Sequence, residues 1–512
     1  MLLAIDLGST VTKAVVWAPD GIVGTGRSTL RTEHRPGGVA EQDPDDWWSS
    51  VVEACRSALD KTPDGSDVSC VVFSAARQTF VTVDSVLRPT GPGIMWSDRR
   101  AGKEAKAIAE RLGDTETLRL TTGMILDSAA PAAKIAWLEA NRPESLRAAR
   151  WILAPRDLLV ARVTGEVMTD ATLAQSSGFY DTDLNLVDVL AGSHAGLFPP
   201  VADPTTVAGG LRPDAATELG LPSGLPVVIG AGDRACEVLG TGATTDMPMV
   251  SWGTTANVSV PIAAWPSADS YRGVVSRGAT GGFLLEAGLA SAGSFMEWLA
   301  SIQGGSGGVG ELVGLASSSP PGARGVVATG WLGGARAPWW RDDARASYFG
   351  LSPEHAPGDL ARAAVEAVAF DVTRCLENIA LTTSHRPGKL VLGGGSALEL
   401  WPAILCAVTG LPAARRRSGM GALAGAALIA AGATGSVATG LDGIELDRID
   451  PFEADLQPGR DLVLAYRALR SVSDAAVSAT LGFADATHGA GAIDDVDAIA
   501  DLGVTDDASG AR

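Results

Sequence analysis

Residues 2–21 read LLAIDLGSTVTKAVVWAPDG, two apolar runs separated by Gly8-Ser9-Thr10 and followed by a Pro-Asp-Gly triplet. Apolar runs bounded by turn residues predict two β-strands joined as a hairpin. A similar unit recurs at 248–255, where PMVSWGTT ends in Gly253-Thr254-Thr255. We therefore predict an internal duplication in which each half opens with a strand–turn–strand unit. Two unrelated hairpins are the alternative.

The length of the chain predicts more than one domain. A chain of 512 residues exceeds what one hydrophobic core usually serves, so we expect two domains that meet near residues 243–248. Strand patterns alternate with helical ones, which is typical of an α/β layered domain. A helix is predicted at 43–59, because Asp43 can cap it and Pro44 suits its first position. Further helices are predicted at 101–112, 359–381 and 419–433.

The predicted organisation has four parts. They are a first lobe at 1–245, a second lobe at 246–450, a C-terminal helix at 451–482 and an acidic tail at 483–512. The tail is mostly Ala, Asp, Gly and Thr, which offer too little apolar surface to fold alone, so we expect disorder there.

Charge and cysteine content exclude several classes of partner and site. The chain has 40 Lys and Arg against 59 Asp and Glu, a net charge of −19, which disfavours nucleic acid and anionic membranes. Its five cysteines are odd in number and form no C-x-x-C pair, which argues against a disulfide framework or a zinc site and favours a reducing cytoplasm. The uncharged stretch 418–441 is mostly Ala and Gly, too weakly apolar for a membrane span, and predicts a tightly packed internal helix.

Three glycine turns are candidates for binding phosphate, which needs backbone N–H groups that approach closely and hydroxyl or cationic side chains. They are Gly8–Thr10, Gly253–Thr255 and Gly393–Ser396, and Lys13 on the strand after the first turn could reach a terminal phosphate. The chain contains no P-loop sequence, and the first turn lacks a dinucleotide fingerprint. Each turn alone could be structural, but three in this order favour a nucleotide held between two lobes.

Two aspartates end buried strand runs, where an unpaired carboxylate is costly to desolvate. Asp6 would be justified by a metal bound through water or by orienting a phosphate-bound Mg²⁺ ion, with a capped turn as the alternative. Asp233 ends the run PVVIGAGD at 226–233, beside glycines that leave room for a substrate. A carboxylate there can accept the proton of a hydroxyl that attacks a γ-phosphoryl group. Asp233 is therefore the predicted general base.

Across residues 1–475 the chain resembles the FGGY carbohydrate kinases, the group that contains xylulokinase, gluconokinase, ribulokinase and glycerol kinase. The matching motifs of the first half are AIDLGST at 4–10, EQDPDDWW at 41–48, MWSDRR at 95–100 and VTGE at 163–166. Those of the second half are IGAGDRACEVLGTGA at 229–243, SWGTT at 251–255, APWWRDDARASYFGLS at 337–352, VEAVAFDVTRCLENI at 365–379 and LGGGSALELWPAILCAVTGLP at 392–412. The resemblance rests on their order and spacing together.

The resemblance implies an α/β fold of the actin-like, ribonuclease H-like ATPase type, with an interlobe cleft that closes over ATP and a sugar or polyol. It also implies that the aspartate matching Asp233 is the catalytic base. The first lobe would bind the metal through Asp6 and the phosphates through Gly8, Ser9, Thr10, Thr12 and Lys13. The second lobe would contribute Gly253, Thr254 and Thr255 to the phosphates and Gly394, Gly395 and Ser396 to the adenosine site.

The substrate side departs from some members of the family. Xylulokinases carry Gln-Met-His-Gly after the third strand, whereas residues 74–79 here read SAARQT, closer to the Gln-Arg-Glu-Thr of glycerol kinases. Arg77 could fork two donors onto vicinal hydroxyls or onto a carboxylate. Gln78 and Asp98 are further predicted substrate contacts. The alternatives are a salt-bridged structural Arg77, and an Asp98 that pairs with one of the two arginines after it.

We predict ATP-dependent phosphorylation of a sugar or polyol hydroxyl, with a ketopentose such as xylulose as the expected acceptor and Mg²⁺-ATP between the lobes. Gluconate, ribulose, glycerol and other polyols are alternative acceptors. An actin-like ATPase and a catalytically degenerate sugar-binding regulator are competing functions. The retained Asp6, Lys13 and Asp233 argue against the degenerate regulator. A homodimer is compatible with the sequence.

Overall fold

The computed structural model describes residues 1–62, 68–267, 271, 273–303, 307–394, 400–433, 446–453 and 455–489. Its two main sheets have six strands each, one before residue 233 and one after residue 248. Helices pack against both sheets, so the predicted α/β fold of two lobes is confirmed.

The strands of the first lobe are β1 Leu2–Leu7, β2 Val11–Ala18, β3 Gly21–Thr29, β4 Glu33–Arg35, β5 Val39–Gln42, β6 Cys70–Ala75, β7 Val81–Val83, β8 Gly93–Ile94, β9 Trp151–Leu153, β10 Thr169–Asp170, β11 Val201–Ala202, β12 Val207–Gly210 and β13 Pro226–Gly232. Those of the second lobe are β14 Met249–Trp252, β15 Ala256–Ile262, β16 Val274–Arg277, β17 Phe283–Leu289, β18 Val327–Thr329, β19 Ser347–Phe349, β20 Leu390–Gly393 and β21 Ala413–Arg415.

The helices of the first lobe are α1 Pro44–Leu59, α2 Gly102–Leu112, α3 Thr115–Thr122, α4 Pro131–Asn141, α5 Pro143–Ala148, α6 Pro155–Thr164, α7 Ala171–Ser176, α8 Asp188–Ala191, α9 Pro213–Leu219 and α10 Asp233–Thr241. Those that follow are α11 Gly293–Gln303, α12 Gly308–Ser318, α13 Pro357–Thr383, α14 Leu400–Thr409, α15 Gly421–Gly432, α16 Leu446–Ile449 and α17 Arg460–Gly489. Short 3₁₀ turns lie at Gly192–Leu197 and Ala323–Gly325.

The first sheet has the order β12-β13-β6-β1-β2-β3. The predicted opening hairpin is confirmed, because β1 pairs antiparallel with β2 and parallel with β6. Residues 2–5 are fully buried, and burial of apolar surface at roughly 25 cal/mol per Å² favours this central position for β1. The strand thereby carries Asp6 to its carboxyl end, beside the first glycine turn.

The second sheet has the order β16-β17-β15-β14-β20-β21. Its first strand, β14, pairs antiparallel with β15 and parallel with β20, which repeats the relation of β1 to β2 and β6. In the first lobe an antiparallel set of three strands continues into two parallel strands, and in the second lobe an antiparallel set of four does so. This shared topology supports the predicted duplication.

Local sequence explains where the predicted helices begin. The Asp43 side chain accepts the backbone N–H of Asp45 at 3.0 Å, and Pro44 opens α1, as predicted. The apolar face of this helix, including Val51, is fully buried. The helices predicted at 101–112, 359–381 and 419–433 are confirmed as α2, α13 and α15, with ends shifted by one or two residues.

The uncharged stretch 418–441 predicted a tightly packed internal helix. Helix α15 confirms this for the part of the stretch that the structure describes, up to residue 433. A Cβ atom at Gly425 would lie 1.9 Å from the carbonyl oxygen of Cys236, and one at Gly240 would lie 1.9 Å from that of Gly421. Glycine at these positions therefore lets α10 and α15 cross with their backbones in contact. Among the helices that the structure describes, none is both long and apolar enough to cross a membrane.

The predicted end of the C-terminal helix at residue 482 is wrong, because α17 continues to Gly489. Tertiary contacts extend it: Ala484 is buried, and Asp485 accepts a hydrogen bond from Arg341 at 2.7 Å. The rest of the predicted tail, residues 490–512, lies outside the described residues.

Candidate active site

A cavity of about 190 Å³ lies between the two lobes. The first lobe lines it with Arg77, Gln78, Trp96, Met124, Asp233 and Arg234, and the second with Thr255, Ala256, Asn257, Val274, Glu286, Gly288, Leu289, Arg336 and Trp340. The predicted base, two predicted substrate residues and one predicted phosphate residue therefore meet at a single cavity.

Asp233 is the first residue of α10, where the chain turns from β13 into the helix. Its Oδ1 accepts the backbone N–H of Arg234 at 2.7 Å, and 42% of the side chain is exposed, toward the cavity. Protein packed around this narrow space raises the pKa of Asp233, against the opposing charges of Arg77 and Arg234. The result is a carboxylate that is oriented by the helix and less acidic than usual, which suits a proton acceptor.

Arg77 reaches from the end of β6 across to the second lobe. Its Nη1 and Nη2 donate to Oε1 and Oε2 of Glu286, both at 2.7 Å, while its Nε lies 3.5 Å from Asp233 Oδ1. A Cβ at Gly232 would lie 2.8 Å from Arg77 Cγ, so glycine is needed there for the arginine to pass. Arg77 thus lines the predicted substrate cavity and also forms the salt bridge that its sequence context left open as an alternative.

Gln78 and Trp96 complete the first lobe's wall. The backbone of Gln78 has a φ of +59°, which residues other than glycine rarely adopt and which is often retained at functional sites. Trp96 donates its Nε1–H to Ser9 Oγ at 2.7 Å, which ties the cavity wall to the first glycine turn. Beneath it the buried Lys134 donates to the carbonyl oxygen of Met95 at 2.7 Å.

The prediction that Asp98 contacts the substrate is not supported by this geometry. Its side chain is fully buried and does not line the cavity. The carboxylate accepts the backbone N–H of Ala40 at 2.6 Å and the Arg100 Nη2–H at 2.6 Å. These bonds satisfy the carboxylate oxygens. Asp98 therefore pairs with Arg100, which is the alternative that the sequence left open.

The first glycine turn brings together Asp6 and Lys13, which are directly paired across β1 and β2. Ser74 Oγ donates to Asp6 Oδ1 at 3.0 Å. Burial, with a smaller effect from the Asp233 charge, raises the pKa of Asp6 to about 6, while Lys13 and Ser74 act in the opposite direction. A nearby cation would favour its ionised form.

Thr12 does not face this group, so the geometry does not support its predicted phosphate contact. The side chain is fully buried, and its Oγ1 lies 2.6 Å from Ser50 Oγ on α1. Successive side chains of a strand point to opposite faces. Thr12 therefore points to α1 while Lys13 is exposed on the other side.

The second and third glycine turns lie on the second lobe. Gly253 donates its N–H to the Thr255 carbonyl at 2.8 Å and accepts that of Gly293 at 2.9 Å, which places the turn against the start of α11. Thr254 is exposed, and Thr255 lines the cavity. The Gly394 N–H donates to Glu237 Oε1 on α10 at 2.8 Å, whereas the predicted Gly395 and Ser396 lie outside the described residues.

The described residues fit a magnesium ion held mainly by the nucleotide. They contain no group of three His, Cys, Asp or Glu side chains that could hold a metal. Magnesium commonly keeps several waters and binds one or two carboxylates together with substrate phosphates. Asp6 fits that chemistry, because its carboxylate ends a central strand beside the first glycine turn.

Sequence reasoning missed Glu286, Arg336 and Glu237. Glu286 carried a usable signal, since a charged residue within the apolar strand FLLEAGL at 283–289 needs a buried partner. Arg336 and Glu237 carried none, because Arg336 stands in the loop sequence WLGGARAPWW and Glu237 on a helix, and solvent contact is the simpler expectation for a charged residue in either place.

Sequence comparison finds one family over most of the chain. The N-terminal domain of the FGGY family of carbohydrate kinases matches residues 1–240, and its C-terminal domain matches residues 244–434. The xylulose kinase of Escherichia coli strain K12 is 27% identical over 440 residues, which cover 84% of this chain and 89% of that protein. The gluconokinase of Bacillus subtilis strain 168 is 26% identical over 388 residues, covering 72% and 75%.

Structural comparison gives the same fold. The ligand-bound xylulose kinase of Lactobacillus acidophilus superimposes with a TM-score of 0.83 at 22% identity, covering 94% of this chain and 100% of that one. At this identity the likeness speaks to the two-lobe architecture alone.

Proposed function

The chain belongs to the FGGY family of carbohydrate kinases, and from this premise we propose that it transfers the γ-phosphoryl group of ATP to a hydroxyl of a small sugar or polyol. The observation that carries the proposal is the cavity where Asp233 of the first lobe faces Thr255 of the second. The residue proposed to accept the proton and the turn proposed to hold phosphate thus line one cavity.

Asp233 would act as the general base. As the acceptor oxygen forms its bond to the γ-phosphorus, the Asp233 carboxylate takes the hydroxyl proton, and the bond from phosphorus to the ADP oxygen breaks. Lys13, Gly8, Ser9 and Thr10 would hold phosphate from the first lobe, and the Gly253–Thr255 turn from the second. Magnesium, when bound beside Asp6, would supply charge that neutralises the phosphates. Enclosure between lobes would keep water from competing as acceptor.

We propose a ketopentose such as xylulose as the first acceptor to test. Xylulose kinases are prominent among the relatives, and Arg77 and Gln78 line the cavity where hydroxyls would bind. Ribulose, glycerol and other polyols remain in the same class.

A sugar acid such as gluconate is the second candidate, and one feature of the cavity favours it. Among the described residues, Arg336 has neither an ion pair nor a side-chain hydrogen bond; the Trp340 ring lies 5.5 Å from its guanidinium. Arg336 is half-buried; desolvation lowers its pKa, and a partly desolvated cation without an anionic partner is costly. A substrate carboxylate would relieve that cost.

Two further expectations accompany the kinase. All five cysteines are unpaired and buried, which supports the proposed cytoplasmic location. The competing functions, an actin-like ATPase and a sugar-binding regulator, would not need Asp233 open to a cavity shared with Arg77. A homodimer stays a prediction.

A coupled ADP-release assay across pentuloses, hexuloses, aldonates and polyols tests the proposal. We expect ADP formation that depends on one acceptor class, and a gluconate preference over the matching polyol would favour the second candidate. Basal ATP hydrolysis that no acceptor stimulates would contradict the kinase function and favour the actin-like ATPase.

A further inference from the structure

We propose that Glu286 is a positioning residue, which holds the Arg77 guanidinium away from Asp233 so that the carboxylate stays free to accept a proton. This inference rests on the proposed role of Asp233 as the general base. It assigns a function to a second-lobe residue that no motif singled out.

The first step is the geometry of Arg77. Its two Nη atoms both donate to Glu286 at 2.7 Å, whereas its Nε lies 3.5 Å from Asp233 Oδ1, an ion-pair distance that is longer than an ordinary hydrogen bond. A bidentate arginine–carboxylate pair is strong and directional. Arg77 therefore lies between two carboxylates and is bound to the one that does not perform chemistry.

The second step is how firmly Glu286 is held. It sits within β17, paired with Val274 of β16 on one side and Ser259 of β15 on the other. Only 3% of its side chain is exposed, and Ser276 Oγ donates to its Oε1. Burial alone would raise the pKa of Glu286, but the Arg77 charge overcomes it and holds the pKa below its usual value.

The third step is the balance of charge around the base. The charged groups that face Asp233, Arg77 and Glu286 are Asp6 of β1, Arg234 and Glu237 of α10, and Arg336. Arg234 has its own partner, since its Nη1 donates to Glu237 Oε2 at 2.5 Å. If Glu286 lost its charge, Asp233 would be the nearest carboxylate left for Arg77.

A direct Arg77–Asp233 pair would impair the base in two ways. It would occupy the carboxylate oxygens that the substrate hydroxyl needs, and it would favour the ionised form, which makes the carboxylate a weaker proton acceptor. Because Glu286 belongs to the second lobe, the restraint on Arg77 exists only while the two lobes are together.

The test is Glu286→Gln, assayed with whichever acceptor supports ADP release by the wild-type enzyme. We expect kcat to fall by about 10²-fold, the lower end of what a positioned base contributes. The acid limb of kcat/KM should move to lower pH. The double variant Glu286→Gln with Arg77→Met should regain part of the lost kcat, because the cation that competes for Asp233 is gone. Its KM for the acceptor should be high, because Arg77 no longer lines the acceptor cavity. Glu286→Asp, which keeps the charge, should retain more kcat than Glu286→Gln.

Glu366→Gln is the matched control. Like Glu286, Glu366 accepts a hydrogen bond from a buried arginine, in this case from Arg362 Nε at 2.7 Å. It lies on α13, however, and does not line the interlobe cavity. We expect it to lower Tm without moving the acid limb. An unchanged acid limb in Glu286→Gln, or a double variant with no more kcat than the single one, would overturn the proposal.

A crystal structure of Glu286→Gln provides a readout that does not depend on activity. We expect an Arg77 nitrogen within about 3.0 Å of an Asp233 oxygen. Arg77 left in its original place would overturn the inference even if the kinase function holds. The absence of any acceptor-dependent ADP release from the wild type would instead contradict the proposed function.

Discussion

The substitution Asp233→Asn probes the proposed base with the least change of shape. Asparagine keeps the size of the side chain, and its amide oxygen can still accept the Arg234 N–H that lies 2.7 Å from Asp233 Oδ1. What it removes is the ability to take a proton. A positioned general base contributes about 10²- to 10⁴-fold to turnover, or roughly 3–5 kcal/mol of activation free energy. We expect kcat to fall by that factor while ATP and acceptor still bind.

The same variant should not be less stable. Burial raises the pKa of Asp233, so the folded state holds this proton more tightly than the unfolded chain does. The cost of ionising it in the folded state therefore appears as pH rises through the folded pKa. Removing the charge should keep or raise Tm at pH 7. Lost turnover with retained stability separates a catalytic role from a structural one.

Coupled ADP release measured across pH, with Tm recorded in parallel, decides the matter. The acid limb of kcat/KM that Asp233 produces should vanish in Asp233→Asn. Asp98→Asn is the matched control, because Asp98 is buried against Arg100 at 2.6 Å and away from the cavity. It should lower Tm and keep the acid limb. Near-normal turnover in Asp233→Asn would remove Asp233 from the mechanism.

Three other variants address the cavity, the helix crossing and a buried charge. Arg77→Ala should raise the KM for the acceptor and leave the KM for ATP unchanged in steady-state assays. A changed KM for ATP would mean that Arg77 belongs to the nucleotide site instead. Gly425→Ala should lower the free energy of unfolding in a denaturant titration by about 1–3 kcal/mol or more, because its Cβ would lie 1.9 Å from the Cys236 carbonyl oxygen. Gly432→Ala is the control: its Cβ would meet nothing within 4 Å, so this variant should be neutral or stabilising in the same titration. Burial lowers the pKa of Lys134 to about 7. Above that pH the unfolded chain binds more protons than the folded one, so Tm should rise toward pH 10. Lys134→Met should flatten this rise, and an unchanged slope of Tm against pH would assign the rise to other groups.

Part of the candidate site could be predicted because its residues belong to local patterns. Asp6 and Asp233 each end an apolar strand, and the first two glycine turns are read directly from residues that favour turns. Thr12 shows the limit of motif transfer, since strand alternation puts it on the opposite face from Lys13. Asp98 could not be placed, because whether a carboxylate meets substrate or a neighbouring arginine depends on which way a loop folds.

The sequence by itself determined the two hairpins, the capped start of α1 and the class of chemistry, because these depend on periodicity, turn residues and short motifs. Tertiary structure alone decided the rest. Arg77 and Glu286 are 209 positions apart and meet only when the two lobes come together. Helix α17 passes its expected end because residues from elsewhere in the chain cover it. Local preference sets which segments form strands and helices, whereas the pairing of buried charges depends on which distant groups share the same low-dielectric space.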